Sequence, residues 1–147
     1  MTASRAPAPQ AYRGERLGLP EHGPGSLCTT GQRLVAFVID AVASALIAGL
    51  FVAIAHRGED VSHRLPGSWS LVPLAIDYLV GLSVAGRTLG MNLIGLRIVR
   101  VDHPAPVGFG RALLRTFLLF LLVPALIWDR DGRGLHDRLT DTAVVLD

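Results

Sequence analysis

The sequence predicts an all-α membrane protein with two to three transmembrane helices. A re-entrant or interfacial helix is the alternative to a third crossing, and a short cytoplasmic extended segment completes the fold. Three observations predict it. Of the 147 residues 50% are hydrophobic and only 18% charged, with a mean hydropathy of +0.44, too oily for a soluble domain of this size. Apolar runs recur at 34–55, 69–85 and 112–128, near the length that crosses a bilayer. The first two runs each carry one aspartate, Asp40 and Asp77, and an acid in such surroundings needs a partner other than bulk water.

Composition removes several function classes. The length fits one domain. All 14 basic residues are arginine, a bias that with the Ala, Gly, Pro and Leu content fits a GC-rich bacterial genome. A net charge of +2 is too small to argue for a nucleic-acid partner. The single Cys28 excludes an internal disulfide. The five histidines lack close metal-ligand spacing, so neither metal nor cofactor is expected. The stretch "GRTLG" lacks the Lys-Ser/Thr ending of a phosphate-binding loop, and Gly86, Gly90 and Gly95 are read as turn and close-packing glycines. No nucleophile–base pattern is present, and no enzyme is proposed.

Taken in order, residues 1–28 are rich in Pro, Gly and Ala and read as a disordered cytoplasmic tail. Helix 34–55 follows, 22 residues with Asp40 as its only charge. It is not read as a cleaved signal peptide: the apolar core is too long, the leader exceeds thirty residues, and Asp40 would sit inside it. The second run, 69–85, is 17 residues long, contains Pro73 and Asp77, and begins at Trp69, where an interfacial anchor belongs. In 86–110 the piece "LRIVRV" alternates like a short strand or an extended surface segment. The third run, 112–128, contains Arg115 and Pro124, leaving both a full crossing and a shallow re-entrant helix open.

Insertion energies rank these runs. A central Leu, Ile, Phe or Val contributes roughly −0.3 to −0.6 kcal/mol, and an Asp costs about +2.5 to +3.5. The first run offsets Asp40 with something to spare, whereas the second barely cancels Asp77 and needs its neighbours. Orientation follows from arginine placement. Arg5, Arg13, Arg16 and Arg33 precede the first helix, and Arg87, Arg97, Arg100 and Arg111 follow the second. The N-terminus and the 86–111 segment are therefore expected in the cytoplasm. The tail arginines, Arg130, Arg133 and Arg138, favour the same side, which a re-entrant third run would satisfy.

In an antiparallel pair, Asp40 lies about 9 Å and Asp77 about 12 Å in from the cytoplasmic side. Arg33 shares a helical face with Asp40, roughly 10 Å away along the axis. Arg111 and Arg115 form an i, i+4 pair at the mouth of the third run, and Arg115 could reach the acids or turn back to the headgroups. Asp40 is thus expected in a protein interior with arginine or water nearby. Asp137 could cap a helix, pair with Arg33 or Arg115, or meet a partner protein.

The pattern resembles the RDD family of small bacterial membrane proteins, named for one arginine and two aspartates. The matching positions are Arg33, Asp40 in "FVID" and Asp137 in "GRGLHDRLTDTAVV". "GRTLGMNLIGLRIV" at 86–99 and "GRALLR" at 110–115 also resemble the family, and the likeness runs over 31–146. It implies a multi-pass protein of the bacterial plasma membrane with a transport role, in the form of cation/proton exchange. The charge cluster Arg33, Asp40, Asp77, Arg115 and Asp137 is the candidate site, serving either as an ion or proton site or as a structural clamp. The competing function is a non-transporting accessory or scaffold protein whose 86–111 segment docks a partner. The expected partners are the lipid bilayer and either a second copy of the chain or another membrane protein.

Overall fold

A computed structural model describes residues 10–55, 67–102, 107–121 and 134–147. The longest element, α1, spans Thr30–Ala55. It starts four residues before the expected boundary because Thr29 and Gln32 cap it reciprocally. The Gln32 N–H donates to Thr29 Oγ1 at 3.2 Å, and the Thr29 N–H donates to Gln32 Oε1 at 2.8 Å. α1 is long and apolar enough to cross a membrane, with a mean hydropathy of 2.4 and only 11% of its apolar window buried. Its buried residues are Ala36, Asp40 and Ser44, one stripe at four-residue spacing. The flanks expose Val38, Val42, Leu46 and Leu50 by half or more, a burden no water-facing helix carries at this density.

The second apolar run forms α2, Ser68–Val84. Pro73 lies in the first turn of its α-helical part, Leu71–Ile76, where a missing N–H is best tolerated. A single widened π turn, Asp77–Gly81, carries Asp77. Leu74, Tyr78 and Leu82 bury one face against α1 and the elements that follow. Phe51 and Trp69 stack with ring centroids 6.4 Å apart, joining the end of α1 to the start of α2, so the two helices run antiparallel.

Short elements then cover the N-terminal end of this hairpin: α3, Leu89–Leu93; β1, Leu96–Arg100; α4, Phe109–Phe120; α5, Leu135–Leu139; and β2, Thr142–Leu146. β1 and β2 pair antiparallel, from Leu96 opposite Leu146 to Arg100 opposite Thr142. The all-α expectation is therefore corrected. The protein is mostly helical with a small sheet, and "LRIVRV" is a paired strand that buries Leu96 and Ile98 rather than a surface segment. Its partner lies in the C-terminal tail, too far along the chain for local alternation to announce.

The reading of 1–28 as a tail is also corrected over its last residues, while 1–9 lie outside the described residues. Leu27 bridges Val145 on the second edge of β2. The Cys28 N–H donates to the Val144 carbonyl at 3.1 Å, and the Leu146 N–H donates to the Ser26 carbonyl at 3.0 Å. The sheet is thus fastened to the residues that lead into α1. Of the third run, α4 accounts for 112–120, and residues 122–128 lie outside the described residues.

Candidate functional site

The five charged candidates separate into two groups rather than one cluster. In the first, Asp137 sits at the start of α5 with no exposed surface. Arg33 Nη1, from the first turns of α1, donates to Asp137 Oδ2 at 2.7 Å. Arg115 Nη1, from the inner face of α4, donates to Asp137 Oδ1 and also to Thr142 Oγ1 at 2.9 Å. Arg33 Nε additionally donates to the Cys28 sulfur at 3.1 Å. One carboxylate therefore ties α1, α4, α5 and β2 together. With two guanidiniums against one acid, the knot carries a net positive charge. Arg33 Nη2 is buried with no acceptor among the described residues.

The second group forms around Asp40, which is 1% exposed. Its partners are not arginines, and among the described residues none forms an ion pair with it. Instead the Thr88 hydroxyl donates to Oδ2 at 2.6 Å and the Gly90 N–H donates to Oδ1 at 2.5 Å. Thr88 also caps α3, accepting the Met91 N–H at 3.3 Å. Asp77 accepts the Leu89 N–H at 3.3 Å on each oxygen. The acids of both apolar runs thus face the unsatisfied N–H groups at the start of one short helix, a chemistry that suits negative charge. Asp77 and Tyr78 lie near enough to Asp40 to feel its charge.

The close approach depends on glycine. A Cβ on Gly90 would lie 2.9 Å from Asp40 Oδ1 and from the Ala36 carbonyl carbon. Ala36 supplies the matching small surface on α1. Gly86, with φ of +67°, makes the turn that returns the chain from α2 to α3. These two glycines act as the turn and close-packing residues expected from "GRTLG".

Of the two neighbours expected for Asp40, arginine or water, the arginines are elsewhere. Arg33 lies about two turns away and points to the sheet end, while Arg115 comes from α4 on the same side. Thr88, the Gly90 amide, Thr142 and Tyr78 were not legible as site residues. The only local signal is the "TLGMN" cap pattern, whose threonine precedes a short helical stretch. Outside the apolar helices, Arg100 grips Asp102 at 2.9 and 2.5 Å and Arg111 adds contacts at 3.2 and 3.4 Å. The Arg100 hydrogen bonds, reinforced by Arg111, hold the Asp102 carboxyl well below the usual carboxylate range.

The RDD family model matches residues 27–141, most of the chain, a span that holds Arg33, Asp40 and Asp137. The chain belongs to the RDD family. No curated protein and no solved structure gives a match. In this RDD protein Arg33 and Asp137 are bonded to each other, and Asp40 occupies a separate site.

Proposed function

We propose that this RDD protein is a multi-pass protein of the bacterial plasma membrane, N-terminus in the cytoplasm, that exchanges a cation for protons at Asp40 and Asp77. One observation carries the reading: Asp40 is sealed from solvent, has no arginine partner among the described residues, and stands beside a second, half-buried carboxyl group. An acid locked to two guanidiniums, like Asp137, is a clamp. Two acids side by side, balanced only by a hydroxyl and a helix start, can take up either a proton or a cation in exchange. Asp77, less enclosed than Asp40, is the entry point of the pair.

The accessory reading is weaker on one specific ground. The strand it would offer to a partner is already paired along β2 and buries Leu96 and Ile98 within the chain. Short helices cannot enclose a pathway alone, so self-association through the exposed apolar faces of α1 and α2 belongs to the proposal. The test uses proteoliposomes with an imposed pH gradient. The parent chain is expected to release the gradient on adding a monovalent cation, whereas Asp40→Asn, still inserted and folded, is expected to lose that flux. Equal flux from Asp40→Asn removes the reading.

A further inference from the structure

A cleft of about 780 Å³ is lined by β1, the Gly86 turn, Val145 of β2 and residues 19–25. We propose that it binds the phosphate of an anionic phospholipid headgroup through Arg87 and Arg97.

Position is the first argument. The cleft runs from β1 to Val84, which closes α2 and is 82% exposed. It therefore opens beside the last turn of an apolar helix, at the depth of lipid headgroups once that helix enters the bilayer. Leu19 and Pro20 supply an apolar wall opposite the charged strand, so the lining is amphiphilic as a lipid is. The Gly86 turn brings Arg87 alongside Arg97, because the Ile98 N–H donates to the Gly86 carbonyl at 2.8 Å.

Unused donors are the second. Arg87 and Arg97 share the acid Asp147: Arg87 Nη1 donates to Oδ2 at 2.7 Å and also to Asn92 Oδ1 at 3.3 Å, and Arg97 Nε stands 3.3 Å from Oδ1 of the acid. Arg97 comes nearest to that acid through Nε. Its two terminal nitrogens, the fork that grips paired phosphate oxygens, have no acceptor among the described residues. The side chain is 49% exposed, so an incoming phosphate meets little desolvation. Asp102, the carboxylate in the lining, is engaged by Arg100 and Arg111 and leaves the cleft cationic.

The inference rests on α2 entering the bilayer and not on ion exchange. Lost flux with intact lipid binding, or the reverse, separates the two. The full chain is purified in detergent, and retention of phosphatidylglycerol against phosphatidylcholine is read by native mass spectrometry. Phosphatidylglycerol is expected to be favoured about tenfold, as paired basic residues at a headgroup would give. The Arg87→Gln/Arg97→Gln double variant should fall to the phosphatidylcholine level. Arg97→Lys, which keeps the charge and loses the fork, should fall partway. Arg138→Gln, exposed and outside the cleft, should leave retention unchanged. Equal retention of the two lipids, or a folded double variant that holds phosphatidylglycerol like the parent, overturns the proposal. Displacement of the lipid by equimolar inorganic phosphate would assign the site to a soluble anion and overturn the lipid assignment; resistance to it supports the lipid.

Discussion

Asp137 and Asp40 are almost equally hidden, at 0% and 1% exposure, yet they are neutralised by different chemistry. Two guanidiniums hold Asp137, and removing its charge strands both of them in the interior. Breaking a buried pair in this way costs about 3–5 kcal/mol. Asp137→Asn is therefore expected to lower the unfolding midpoint in detergent sharply, or to prevent accumulation of folded protein. Asp40→Asn should be milder in the same measurement. A neutral amide oxygen still accepts from Thr88 or Gly90, and no arginine among the described residues is left unpaired. If both variants lose similar stability, the division into clamp and exchange site fails. The same comparison explains what was legible at this scale. The Arg33–Asp137 pair spans 104 positions, so composition shows that partners are needed without saying which.

At the scale of elements, α4 is the informative case. Its inner face buries Ala112, Arg115 and Thr116, and its outer face exposes Phe109, Leu113 and Phe117. An amphipathic helix in water shows the opposite arrangement. At 12 residues it is about 18 Å long, short of the roughly 30 Å hydrocarbon core. These features suit a helix that lies in or dips into the bilayer with its polar side turned to Asp137. Phe117→Lys distinguishes this from a water-exposed helix. On a wet surface the change is worth within about 0.5 kcal/mol, whereas facing lipid it costs roughly 2–3 kcal/mol. The expected outcome is a marked loss of membrane-inserted, folded protein, read by alkaline extraction of membranes. For α2 the expected limits, 69–85, differ from Ser68–Val84 by one residue at each end, because apolar run length and helix length coincide there.

At the scale of the molecule, the sheet decides how the ends of the described chain relate. Residues 25–28 pair with β2, so the C-terminal strand lies at the same end of α1 as the residues that enter it. Three full crossings would separate them. Cysteines placed by Arg16→Cys and Arg138→Cys, both exposed positions, are expected to react with an impermeant maleimide from the same side. That side is the outer face of inverted vesicles. Native Cys28, with no exposed surface, stays silent. Labelling from opposite sides would overturn the re-entrant arrangement. Arginine counting left this point open, since the tail arginines preferred one side and a third crossing the other.

By itself the sequence determined the apolar helices, their acids and the family, since these depend on local run length, residue type and order. It could not determine which cation meets which carboxylate. That choice is made by the short pieces after α2, where Gly90 lets α3 touch α1 and β2 closes on β1 and Cys28. Only when those distant pieces pack does a helix start, rather than a guanidinium, reach Asp40. The physical reason is that hydrocarbon demands a partner for every buried charge, and tertiary contact alone selects it.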